Sequence, residues 1–170
     1  MNDTHDYKRL SISASAVFLR HGDECLMLKR GMHKTYDPGL MNGVGGKLDA
    51  GEDFLTAAIR ETKEQSGYIL QSNQLFFSGL IRVDGLPEDW IIAYFTAQVR
   101  SKEIPAGNNT EDGELLWIPV TKVLSGRYEI VSGIAKIFDN IMDESSIFFG
   151  HLHCEGINNV VSVDMQKIRL

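Results

Sequence analysis

The sequence predicts an α+β domain in which a mixed, mostly antiparallel sheet carries two main helices. Three observations lead there. Segments rich in β-branched and aromatic residues recur at hairpin spacing. Apolar residues fall at helical spacing in two stretches only. The 170 residues, 43% hydrophobic and 24% charged with four prolines, suit one compact domain over residues 1–170.

Taken in order, Ser11 to Leu19 alternates small or polar with apolar residues, Arg20 to Asp23 offers a turn, and Cys25 to Arg30 resumes the extended pattern. That is a hairpin. Gly31 to Gly46 carries five glycines and one proline without periodicity and reads as a long loop of functional character. Asp53 to Ser66 spaces Phe54, Leu55, Ala58, Ile59 and Thr62 as one helical face, closed by Gly67 at the C′ position. Leu75 to Val83 and Trp90 to Val99 form a second antiparallel pair around the turn residues Asp84 to Pro87. After the polar, acidic stretch Ser101 to Gly113 comes a short strand, Leu115 to Val120. Ile130 to Met142 places Ile134, Ile137, Phe138 and Ile141 as a second helix would. Ile147 to His153 and Val160 to Met165 flank Glu155-Gly156 as a last hairpin.

Composition excludes several classes. Seventeen Lys+Arg against 23 Asp+Glu leave a net charge of −6, which repels a nucleic-acid polymer unless basic residues segregate, and they do not. No apolar run approaches the ~18 residues of a membrane helix, and Met1 to Arg9 is polar where a signal peptide would be apolar. The two cysteines, Cys25 and Cys154, lack CxxC spacing and fit a reducing compartment, so a cytoplasmic protein is expected. His151, His153 and Cys154 resemble a zinc cluster, yet no fourth ligand follows. Oligomeric state is not written in the chain.

At about 100° per residue, Glu61, Glu64 and Gln65 fall within one third of the first helix and border its apolar stripe. Carboxylates held at a core edge raise each other's pKa unless a cation compensates, and an oxygen-only set suits Mg²⁺ or Mn²⁺. The bland alternative is a solvated face with an Arg60–Glu64 pair. The neighbouring loop favours the cation: Gly43, Gly45 and Gly46 permit close backbone approach, Lys47 follows, and Glu52 precedes the helix. A P-loop would need glycine at Met41 and Ser or Thr at Leu48, and a dinucleotide fingerprint would need glycine at Leu48; both fail.

Gly46, Glu52, Arg60-Glu61, Glu64 and Gly67 stand at the spacing of the Nudix box, so that GKLDAGEDFLTAAIRETKEQSGY resembles that motif over Gly46 to Tyr68. The resemblance implies a Nudix-type α/β/α sandwich and divalent-metal-dependent hydrolysis of a nucleoside diphosphate linked to another group. It implies metal ligation by Glu61 and Glu64, orientation of the carboxylates, chiefly Glu52, by Arg60, and a backbone contribution from Gly46. Gln65 replaces the second of the paired glutamates, a position usually ascribed to a metal ligand; its amide oxygen can coordinate but is uncharged. Thr62 replaces a larger aliphatic residue. Family members often place a further ligand or base a few residues ahead of a tryptophan comparable to Trp117, which marks Asp112 and, behind it, Glu111.

The segment order is most similar to the MutT-type branch that hydrolyses oxidised-purine nucleoside triphosphates, in the Asn42 to Lys47 loop and the FFGHLHCEG hairpin. By that analogy Asn42 reaches the base, and Arg30 and Lys47 meet phosphates. Tyr128, an aromatic in a loop, is the candidate for base stacking. Arg127 to Val131 lacks the paired aspartates with which animal members read an oxidised purine. The expected substrate is a small-molecule nucleotide, a nucleoside triphosphate cleaved to monophosphate and pyrophosphate. The alternatives are nucleotide sugars or dinucleotides, and a nucleotide-binding regulator whose turnover Gln65 weakens.

Overall fold

The computed structural model describes residues 10–170; the polar stretch Met1 to Arg9 lies outside them. Its elements are β1 (Ser11–His21), β2 (Glu24–Arg30), β3 (Met41–Asn42), β4 (Val44–Lys47), α1 (Phe54–Ser66), β5 (Leu75–Asp84), β6 (Asp89–Gln98), β7 (Asn109–Thr110), β8 (Gly113–Pro119), α2 (Val120–Val123), α3 (Ser132–Met142), β9 (Ser146–Cys154) and β10 (Val160–Arg169). The strands join in the order β10-β9-β5-β6-β1-β2-β8-β7, with β3 on β2 and β4 on β1. Among the strands of the described residues, only the pairs β1–β6 and β5–β9 run parallel. The mixed, mostly antiparallel sheet is therefore as expected.

Strand β1 organises the molecule. Its C-terminal end pairs with β2 while Ala14 to Val17 pair with β4, so the sheet splits along one of its edges. Alternation along a strand sends successive side chains to opposite faces. Val17 and Leu19 of β1, with Leu26 and Leu28 of β2, accordingly join Ala58 of α1 in one core. Ala16 and Phe18, with Cys25 and Met27, join Ile134, Ile137, Phe138 and Ile141 of α3 in the other. A helix thus covers each face. Phe18 meets Phe138 edge to face at 5.8 Å, and burying side chains of this size contributes about 1.5 to 3 kcal/mol each.

Helix α1 begins where Asp53 accepts the Thr56 N–H at 2.8 Å, and ends where Gly67, at φ 78°, donates to the Lys63 carbonyl. Thr62 and Ser66 lie on its buried face without an unmet donor, because their hydroxyls bond the Ala58 and Thr62 carbonyls at 2.7 and 2.6 Å.

Three expectations need correction. The Gly31 to Gly46 segment is not loop throughout: β3 and most of β4 lie within it. Glycines carry no alternation, and β4 is a strand because β1 supplies its partner. Gly45 is required there, since a Cβ on it would stand 2.1 Å from the Ser15 carbonyl oxygen. Pro119 is followed by the single turn α2, which is too short to show a period. Strand β10 runs on to Arg169; Val160, Val163 and Met165 still pack on the α3-side core, but beyond Met165 every side chain of this edge is exposed and shows no inside and outside. No helix among the described residues is long and apolar enough to cross a membrane.

Candidate active site

The carboxylates gather around one guanidinium. Arg60 grips Glu52 with two parallel bonds, Nε to Oε1 at 2.7 Å and Nη2 to Oε2 at 2.8 Å. Its Nη1 donates to Glu61 Oε1 at 2.7 Å and to Glu64 Oε2 at 3.2 Å, and Nη2 also reaches the Lys47 carbonyl at 3.1 Å. Asp49, which sequence reasoning missed, lies 3.5 Å from Arg60 Nε and donates its backbone N–H to Glu52. The turn chemistry of Asp49 to Glu52 was the available signal.

Exposure grades across α1 as the helix turns: Gln65 is buried, the Glu61 side chain is 13% exposed and that of Glu64 57%. Gln65 Oε1 accepts the Gly45 N–H at 2.9 Å, while its Nε2 donates to the Gly45 carbonyl at 2.7 Å and to Glu61 Oε2 at 2.9 Å. Gly46 backs against the same carboxylate, where a Cβ would stand 2.5 Å from Glu61 Oε1. The two ionisable neighbours respond oppositely. The Arg60 bonds hold the Glu52 carboxyl down to about 2, whereas burial pushes Glu61 above the usual range despite Arg60, with Glu64 and Asp112 adding repulsion.

That contrast has a pH signature. A carboxyl with a lowered folded-state pKa stabilises fully above its ordinary value of 4.5, and its contribution fades as pH falls toward about 2. Glu52→Gln is therefore expected to lower the urea midpoint at pH 7 and to approach wild type as the pH drops to about 3. A constant deficit across that range would show that the charge of Glu52 is not what Arg60 holds.

Asp112 lies in the β7–β8 turn beside Glu111, bonds Lys34 at 2.5 Å, and is near enough to Glu61 to act on its ionisation. The side chains of the remaining expected residues lie apart from the carboxylates. Arg30 Nε donates to the Tyr36 carbonyl at 2.8 Å, and Asn42 Oδ1 accepts the Gly43 N–H at 2.8 Å. Lys47 Nζ sits 4.8 Å over the Tyr36 ring and 5.4 Å over Trp90, on the α3 side of the sheet. Tyr128 borders a cavity of about 240 Å³ with Lys29, Met41, Glu114, Arg127 and Glu129. These come from four separated segments, so only Tyr128 was marked in the sequence. His151 Nε2 and His153 Nδ1 both face the Asp84 carboxylate, at 2.9 and 2.5 Å, while Cys154 is buried in the opposite core.

Among the described residues no three His, Cys, Asp or Glu side chains form an open metal-ligand array; Arg60 lies among Glu52, Glu61 and Glu64 instead. The donor chemistry nonetheless fits a hard divalent cation. It consists of carboxylate oxygens beside a backbone strand, and the charged form of its half-buried member, Glu61, is disfavoured until a cation arrives.

Solved structures share this architecture. The Mutator MutT protein from Bacillus halodurans superposes with a TM-score of 0.77 at 19% identity, over 91% of this chain and 97% of that one. A MutT protein from Methanosarcina mazei Go1 gives 0.65 at 18% identity, over 79% and 95%. The C. elegans Ap4A hydrolase gives 0.58 at 18%, over 78% and 97%. At these identities the likeness establishes the fold, an α/β/α sandwich. The model of the NUDIX domain matches residues 9–141, a span that holds α1, the glycine strand β4 and all the carboxylates described above, and the chain belongs to that family.

Proposed function

We propose that this Nudix pyrophosphohydrolase cleaves a nucleoside triphosphate to the monophosphate and pyrophosphate with Mg²⁺ or Mn²⁺, in the cytoplasm. The observation that carries this reading is the carboxylate row of α1 set against the glycines of β4. Glu61 and Glu64 would hold the cation, with Asp112 near enough to contribute charge and the Gly46 backbone beside them. The cation, when bound, neutralises phosphate oxygens and lowers the pKa of a coordinated water. The chain's own residues do the rest. Arg60 fixes the carboxylates and, through Glu52, the turn that enters α1. Gly46, with no Cβ to meet the Glu61 carboxylate, lets the backbone of β4 lie directly against it.

The nucleoside end belongs, on this reading, in the cavity of Tyr128. Lys29 and Arg127 offer donors there, Glu114 and Glu129 acceptors, and Tyr128 a ring for stacking. Glu129 supplies an acid in the segment that lacks paired aspartates, which keeps a purine, an oxidised one included, among the substrates. Asn42 follows the lining residue Met41, and the β3–β4 segment then runs to the carboxylates. A nucleotide lying along that segment has Arg30 to its phosphates, whereas the Lys47 ammonium, held over Tyr36 and Trp90, points to the opposite face and would have to leave those rings to join it.

The test is a panel of ordinary and oxidised nucleoside triphosphates, nucleotide sugars and, after the name of the C. elegans neighbour, Ap4A. Each is incubated with Mg²⁺ or Mn²⁺, and phosphate and pyrophosphate are read separately. Pyrophosphate from a triphosphate is the expected result. Turnover confined to nucleotide sugars or Ap4A would displace the substrate, and affinity without turnover would make the chain a nucleotide-binding regulator.

A further inference from the structure

The Gln65 amide is fully engaged. Its oxygen accepts the Gly45 N–H, and its nitrogen gives one proton to the Gly45 carbonyl and the other to Glu61. A buried primary amide with two donors can make this set, whereas a carboxylate cannot, having none to give. In a glutamate variant the Gly45 carbonyl and Glu61 would each face an oxygen across 2.7 and 2.9 Å, a contact that repels until a cation stands between them.

We infer that Gln65 is a positioning residue, an uncharged clamp that holds the Gly45–Gly46 strand against Glu61 whether or not a cation is present. A glutamate at this place would make the order of β4 depend on the metal. The inference draws on the hydrolase reading only for where the cation goes. The clamp itself rests on the three hydrogen bonds and on the burial of Gln65.

Amide hydrogen exchange of the Gly45 N–H tests it, with Mg²⁺ alone as the probe and the wild type, Gln65→Glu and Gln65→Met compared. Wild type is expected to be protected without Mg²⁺ and almost unchanged by it. Gln65→Glu should exchange about tenfold faster without Mg²⁺ and recover when it is added, and Gln65→Met should exchange faster in both conditions. A merely structural residue would not make protection metal-dependent in the glutamate variant alone. Protection of the wild type that appears only with Mg²⁺, or a Gln65→Glu variant as protected as wild type without it, overturns the inference; the first of these needs no variant to fold. With an active nucleotide, Gln65→Met should lower kcat about tenfold at nearly constant KM, because the loss falls on alignment and not on substrate binding. An unchanged kcat would equally refute positioning. If no nucleotide is turned over, the hydrolase reading fails and the exchange pattern still decides the clamp.

Discussion

Glu64→Gln is expected to lower kcat/KM by about two to three orders of magnitude while leaving the fold in place. The two halves of that statement have separate causes. The Glu64 side chain is 57% exposed, and its protein contact is a 3.2 Å bond from Arg60 at i,i+4 spacing, a kind of pair worth about 0.3 to 0.5 kcal/mol. Its removal barely registers in the melting temperature. The lost charge, however, is one of the two carboxylates proposed to hold a divalent cation, and the neutral amide binds such an ion poorly. Steady-state rates at saturating Mg²⁺, set beside a thermal melt, separate the effects. A rate equal to wild type would put the chemistry elsewhere on the molecule.

Arg60→Ala is expected to damage both stability and activity. It leaves Glu52, Glu61 and Glu64 without the guanidinium that bridges them, and also frees the Lys47 carbonyl. Glu61 is half-buried, so losing its counter-charge there is costly; a loss of about 2 to 4 kcal/mol is expected. Misaligned carboxylates should reduce activity by a further ~10- to 100-fold, the usual range for residues that orient ligands. Lysine does not restore the wild type, since an ammonium cannot make the paired bonds to Glu52. Denaturant midpoints measured with and without Mg²⁺ check the account, because the cation should return part of the lost stability. A midpoint unaffected by the substitution would mean that the carboxylates are held by something other than Arg60.

Both expectations follow from α1, which was legible in the sequence for physical reasons. Its apolar rhythm, the Asp53 cap and the Gly67 stop are local signals, each complete within a few residues. The gradation from buried Gln65 to exposed Glu64 was equally available from the helical angle. What Gln65 does there was not. Its bonding partner Gly45 lies twenty residues away on a strand that exists only because Ser15 and Ala16 pair with it. The cavity was legible only at Tyr128, since Lys29 and Glu114 are brought to it by the β2–β8 pairing. Local period and capping revealed the elements, whereas the contacts between β4, α1 and β8 depend on pairings that no short window contains.

The short strand β4 places Gly46 against Glu61 on the α1 side and Lys47 over Tyr36 and Trp90 on the other. Insertion or deletion of one residue between Gly43 and Gly46 would exchange those two positions, burying an ammonium among the carboxylates and setting a glycine before the rings. The numbering of this segment is consequently rigid, while the stretch from His33 to Pro38, outside any strand, can change its length where Lys34 and Tyr36 keep their contacts with Asp112, Arg30 and Lys47. Divergence in this lineage has room to lengthen or trim the approach to β3, but almost none to alter the step count of the strand that separates the two faces.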